Sequence, residues 1–156
     1  MKTLNRAFAP MLVAASFLLA ASAAFAFSTN AGPLADDARY AQALEKIKDG
    51  TYTAAIPPLT AVLKEYPEDP DALNLMGFSL RKLGRADEAI VFYRRALARN
   101  PEHLGANEYL GELYVEMRLL DRAKERLAVL RRACDANCVE YRDLEKAIVE
   151  VERKRS

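Results

Sequence analysis

The sequence holds one histidine, two cysteines and no tryptophan in 156 residues. So few imidazoles and thiols exclude a zinc site built from several His and Cys ligands of one chain. It has no glycine-rich phosphate loop and no H-E-x-x-H pair, so the phosphate-cradling and zinc-hydrolase motifs are missing. An excess of either charge is lacking too, with 23 Lys and Arg against 22 Asp and Glu. A near-neutral chain has no bulk field to hold a polyanion, so nucleic acid is not an expected partner. His103, the single imidazole, follows Asn100-Pro101-Glu102. A nucleophile–base pair would need it beside Ser79 or a cysteine. Ser79 is predicted inside a helix, and both cysteines lie about 30 residues further on. Neither an enzyme nor a cofactor nor a metal is expected.

Apolar residues, in contrast, are plentiful at 51%. That is enough to build a core and argues against a wholly disordered chain. The length amounts to about one domain. Lys2 and Arg6 open the chain, an apolar run from Met11 to Ala21 follows, and Ala24-Phe25-Ala26 supplies an A-x-A site. This order predicts a secretory signal peptide over residues 1–26, cut between Ala26 and Phe27. The implied location is the bacterial periplasm or beyond it. The chain left after cleavage would carry 21 basic against 22 acidic groups. The alternative is an uncleaved membrane anchor, since residues 7–27 are about long enough to span a bilayer. Pro10 and the shortness of the strict apolar run favour cleavage. Residues 27–35 read as a short linker.

The body repeats every 34 residues. Ala55, Ala89 and Ala123 are spaced by that period, as are Ala43, Gly77 and Gly111. Pro67 returns as Pro101, Leu59 as Tyr93 and Leu127, and Val62 as Ala96 and Leu130. Several columns at one period mark a repeat architecture with windows 36–69, 70–103 and 104–137. In the second window Leu73, Met76, Phe78, Leu80 and Leu83 follow a helical apolar pattern. Gly84-Arg85 makes a turn, and Asp87 and Glu88 enter the first turn of the next helix, where negative charge suits the helix dipole. Ala89, Ile90, Tyr93, Ala96 and Leu97 form its apolar stripe, and Asn100-Pro101 ends it. Each period is therefore a pair of helices, crossing closely where the residues are small. Pro57 and Pro58, early in the second helix of the first window, are expected to bend or delay it. Beyond residue 138, Tyr141, Leu144, Ile148 and Val151 form a single stripe. Residues 138–156 read as a capping helix and tail that cover the last repeat.

Leu73, Met76, Gly77, Leu80, Ala89, Tyr93, Ala96 and Pro101 fall on the consensus positions of the tetratricopeptide repeat family. The third window matches through Leu110, Gly111, Tyr114 and Ala123 but has Asp135 in place of the final proline, and the first window matches poorly in its first helix. The chain resembles this family over residues 36–137. The resemblance implies an all-α fold, a right-handed α-solenoid of three TPR helix pairs plus the C-terminal capping helix. It also implies a concave groove lined by the first helix of each pair. The groove positions that carry over include Tyr40 and Leu44 from the first repeat, Asn74, Phe78, Arg81 and Lys82 from the second, and Glu108, Glu112 and Glu116 from the third. Spaced four apart, the three glutamates share one helix face. They form either a solvated face or an acidic wall for a basic peptide. Tyr40 and Phe78, being aromatics at helical spacing, could equally be core. A subset of the family grips chaperone C-termini through a Lys/Asn/Arg clamp. Its positions hold Tyr40, Leu44, Leu75, Gly105 and Tyr109 here, so that function is not carried over.

Cys134 and Cys138 enclose Asp135-Ala136-Asn137. In a continuous helix their β-carbons would stand about 6 Å apart, too far for a disulfide, which needs about 3.8 Å. A disulfide therefore requires a chain turn at those three residues, which favour turns. An exported chain meets an oxidising compartment. The alternatives are a redox or soft-metal site, or two unpaired thiols. The functional expectation is a non-enzymatic protein–protein interaction scaffold or assembly factor, a monomer or weak homodimer, that binds a peptide or helix in its groove. Two alternatives stand beside it: a periplasmic redox or metal-delivery accessory using Cys134 and Cys138, and a membrane-anchored assembly factor.

Overall fold

In a computed structural model of the chain, residues 34–154 are described. The predicted signal peptide, its cut between Ala26 and Phe27, and linker residues 27–33 lie outside them. Among the described residues there are seven helices and no strand: α1 Ala38–Lys48, α2 Tyr52–Glu65, α3 Pro70–Lys82, α4 Ala86–Arg99, α5 Leu104–Glu116, α6 Leu120–Cys134 and α7 Val139–Arg153. None of them is long and apolar enough to cross a membrane.

Local chemistry sets the helix ends, and it repeats. The first helix of each pair starts on a side-chain cap. Asp37 accepts from the Arg39 and Tyr40 N–H groups, Asp69 from the Ala72 N–H, and His103 Nδ1 from the Ala106 N–H. Each cap satisfies helix-start donors that have no intrahelical partner. The same helices end alike. Gly50, Gly84 and Arg118 take positive φ values of 71°, 75° and 63°. The following N–H donates back five residues, from Thr51 to the Lys46 carbonyl, Arg85 to Leu80 and Leu119 to Tyr114. This is the left-handed helix stop that glycine favours, built twice on glycine and once on arginine. Pro57 and Pro58 neither delay nor interrupt α2, which starts at Tyr52 and runs through both. The prolines are the sixth and seventh residues of the helix, and each forfeits one intrahelical N–H donor.

Packing follows sequence order: α1 on α2, α3 on α4 and α5 on α6, with α2 against α3 and α4 against α5 between pairs. In addition α3 touches α5 and α5 packs on α7, so these three helices draw together on one side of the stack. The predicted all-α solenoid is the fold that forms. Leu59, Leu73, Tyr93, Leu113, Leu130 and Leu144 are its largest fully buried side chains. Glycine stands where volume is exhausted. A Cβ at Gly77 would lie 2.8 Å from two Tyr93 ring carbons, and one at Gly111 would lie 2.8 Å from Leu144 Cδ1. Contacts that short would displace the neighbour. The first crossing lies within a helix pair, α3 on α4. The second joins α5 to α7, so α7 closes on the third repeat as tightly as a partner helix.

Candidate interaction groove

The side on which α3, α5 and α7 converge carries a row of aromatic rings. Tyr52 meets Phe78 edge-on at 5.9 Å between centroids, and Phe78 meets Tyr109 at 4.8 Å. Lys82 Nζ sits 5.2 Å from the Phe78 ring centre, within reach of a cation–π contact. Phe78 and Tyr109 are half-buried, and Leu44 on α1 is 42% exposed. Tyr40 packs elsewhere: it lies against Leu34, Val62 and Ala72, between α1, α2 and α3. Burial pushes its hydroxyl up to about 12, helped by nearby Asp71 and Asp69.

Arg81 gathers two of the three α5 glutamates. Its Nη1 donates to Glu112 Oε2 at 2.6 Å, and its Nη2 and Nε donate to Glu116 Oε1 at 2.6 and 3.2 Å. The Arg81 side chain is only 8% exposed. This link between α3 and α5 offsets the like-charge repulsion that the four-residue spacing creates. Glu108 is treated differently. It is 8% exposed, and no hydrogen bond or ion pair among the described residues reaches its carboxylate. Burial pushes its pKa up to about 8, reinforced by Glu112 on its own helix and by Asp143 and Glu140 on α7, and opposed by Arg81. Asn74, one period earlier at the same register, is 7% exposed, and its Oδ1 also has no partner. Its amide lies over Gly105, where a side chain would meet Asn74 Nδ2 at 3.0 Å.

His103 has a structural explanation. Its Nδ1 accepts a backbone N–H, so Nε2 carries the proton and donates to Asp71 Oδ1 at 3.0 Å. That bond holds the Asp71 carboxyl below its ordinary value. Asn107 is equally accounted for. It is fully buried, donates to the Pro101 and His103 carbonyls and accepts from Arg126.

At the far end Asp135 ends α6 with φ 66° and ψ 172°, a region that residues other than glycine rarely enter. The chain therefore turns between the two cysteines. Their Cα atoms are 5.8 Å apart and their sulfurs at bonding distance. Glu140 brings a carboxylate within 4.8 Å of both sulfurs.

The sequence placed Asn74, Phe78, Arg81, Lys82, Glu108, Glu112 and Glu116 on helices that here converge. It missed Tyr52, Glu140 and Asp143. Tyr52 sits on a second helix, outside the positions that carry over. Glu140 and Asp143 lie off the apolar stripe of the capping helix. A shift of 35 residues from Gly105 and Glu108 reaches them, and only the docking of α7 beside α5 gives that shift meaning.

Known proteins bear on this arrangement in two ways. Two family models described as tetratricopeptide repeat match, one over residues 40–102 and one over residues 80–148. Among solved structures, the fold is similar to the TPR2B domain of yeast Sti1 in its pHsp70 complex. The TM-score is 0.67 at 21% identity, covering 75% of this chain and 95% of that one. It is also similar to the type III secretion translocator chaperone SycD of Yersinia enterocolitica, in an alternative dimer. There the TM-score is 0.65 at 17% identity, covering 76% of this chain and 92% of the other. No curated protein matches in sequence. With the 34-residue period, the paired helices and both family matches in agreement, the chain belongs to the tetratricopeptide repeat family.

Proposed function

We propose that this chain is a non-enzymatic interaction scaffold that holds a peptide or helix of a partner protein against the face formed by α1, α3, α5 and α7. The observation that carries this reading is the partly exposed aromatic row Tyr52, Phe78 and Tyr109. Partly exposed aromatics beside unfilled polar groups are what a recognition surface offers. Arg81 is bound to Glu112 and Glu116, so those three stiffen the face and leave Phe78, Tyr109, Lys82 and Glu108 to meet the partner. The reading extends to compartment: an exported chain, mature from Phe27, with Cys134 and Cys138 joined as a staple between α6 and α7.

Site-specific photo-crosslinking in the source cell tests it. A benzophenone amino acid replaces Phe78 on the proposed face or the exposed Val91 on α4. A discrete crosslinked partner from position 78 and none from position 91 is expected. The reverse pattern would move the interaction to the other side.

A second reading has one observation of its own. If Cys134 and Cys138 were reduced, they and Glu140 would form a two-thiolate, one-carboxylate set, the donor chemistry of thiophilic ions. Intact mass separates the readings. A mass beginning at Phe27 and unreactive to thiol blockers until reduction supports the stapled scaffold. Thiols that block without reduction favour redox or metal delivery, and a mass retaining Met1 favours a membrane anchor.

A further inference from the structure

Glu108 is a nearly buried carboxylate with no partner among the described residues. Isolated burial of an ionised group is costly, and proteins normally pair such a group or keep it neutral. The charged groups near enough to act on it are Glu112 from α5, Glu140 and Asp143 from α7, and one cation, Arg81 from α3. Arg81 is already bound to Glu112 and Glu116. Glu108 therefore has acidic groups near it on both α5 and α7 and no donor among the described residues. Asn74, one repeat earlier at the same register, adds a second buried acceptor without a donor. Asn74 Oδ1 is sealed from solvent, so Glu108 is the acceptor that a ligand can reach.

The ligand's size follows from the spacing. Among the described residues, the one set of three or more His, Cys, Asp or Glu ligand atoms within 4.8 Å of one another is Cys134, Cys138 and Glu140. The carboxylates around Glu108 are thus too dispersed to close on a metal ion. A long side chain with a cationic head reaches such a site while its methylenes lie along the half-buried Tyr109 ring. A guanidinium would also supply several donors at once.

We propose that Glu108 on α5, with Glu140 and Asp143 on the adjoining α7, forms a site for one arginine or lysine side chain of the bound partner. This deepens the groove-binding reading and rests on it. Burial of the cation beside Glu108 ionises that carboxyl, so binding near pH 7 expels close to one proton.

The test uses the purified chain and a defined probe, acetyl-Ala-Ala-Arg-Ala-Ala-amide, with its citrulline counterpart as the uncharged isostere. Calorimetry in two buffers of different ionisation enthalpy reads affinity and proton release, and amide chemical shifts read location. Expected are tighter binding of the arginine peptide by about tenfold, the scale of one close charge pair, proton release to the buffer, and shifts confined to α5 and α7. Glu108→Gln should abolish the proton release and reduce the preference for arginine over citrulline to about one. The paired change Glu140→Gln with Asp143→Asn should weaken the arginine peptide while leaving part of the proton release.

Equal affinity for the two peptides overturns the site, as does binding without proton release. So do shifts elsewhere, displacement of the peptide by calcium alone at equimolar concentration, or failure of both peptides to bind at millimolar concentration. Crosslinking from position 78 is scored separately. If it succeeds while the arginine preference fails, the groove stands and the cation site does not. If it fails, the groove reading falls by itself.

Discussion

Arg118 holds the turn position that Gly50 and Gly84 hold in the earlier repeats, with φ 63° against their 71° and 75°. Its Cβ makes that conformation costlier than it is for glycine. Arg118→Gly is therefore expected to raise the unfolding free energy by about 0.5–1 kcal/mol after the added freedom of the unfolded chain is subtracted, as read by urea denaturation. A variant less stable than the parent would show that the arginine stem contributes more than the backbone loses. Glu108 gives a prediction of the opposite kind. Its folded pKa is raised from the ordinary 4.5 to about 8, so the native state binds more protons than the unfolded chain between those values. Its contribution to stability is therefore favourable below the lower value and is lost as pH rises through the upper one. The melting temperature should fall between pH 5 and pH 8, and Glu108→Gln should flatten that fall. An unchanged slope would mean that the carboxyl is solvated. Glu108 could be placed on the groove face from spacing alone. Its isolation could not, because that depends on Arg81 choosing Glu112 and Glu116.

Helix ends were the most legible feature of the elements. Asp69 before Pro70, Gly84-Arg85 and Asn100-Pro101 each carry a local backbone preference, and the structure places boundaries at all three. The junction of α6 with α7 was less so. Asp135 stands where the family has proline, and the stop comes instead from a positive φ at that residue. Joining Cys134 to Cys138 would hold this strained turn. Replacing both by serine is expected to lower the unfolding free energy by about 2 kcal/mol, the loop-entropy value for so short a closure. Denaturation of the oxidised protein, the reduced protein and the double variant measures it. Equal stability of all three would remove the staple. The α2 prolines illustrate the limit of local rules: they weaken a helix interior in isolation, yet Ala55, Leu59 and Val62 on that helix are fully buried. Their burial outweighs the forfeited hydrogen bonds.

Across the whole molecule each helix pair is covered by the next, so the last pair needs a lid. Tyr141, Leu144 and Ile148 of α7 are buried against α5 and α6, with Leu144 filling the space over Gly111. A chain ending at residue 137 would expose that face, as a repeat array without its cap does. It should self-associate or lose cooperative unfolding, detected by light scattering and thermal melts. A monomeric, cooperatively melting truncation would show that three pairs suffice. Removal of α7 should also erase any preference for arginine peptides, because Glu140 and Asp143 go with it.

The period, the paired helices, the turns between them and the face on which each apolar stripe lies follow from the order of the residues alone. These depend on contacts within about 34 residues of chain, and local backbone preference and side-chain spacing encode them directly. Tertiary structure decided which helices approach across repeats. That approach paired Arg81 with two glutamates, set α7 beside α5, put Glu140 and Asp143 within electrostatic reach of Glu108, and left Glu108 and Asn74 Oδ1 with no partner among the described residues. Charge partnership and burial are properties of the space between helices, and no one-dimensional spacing fixes them.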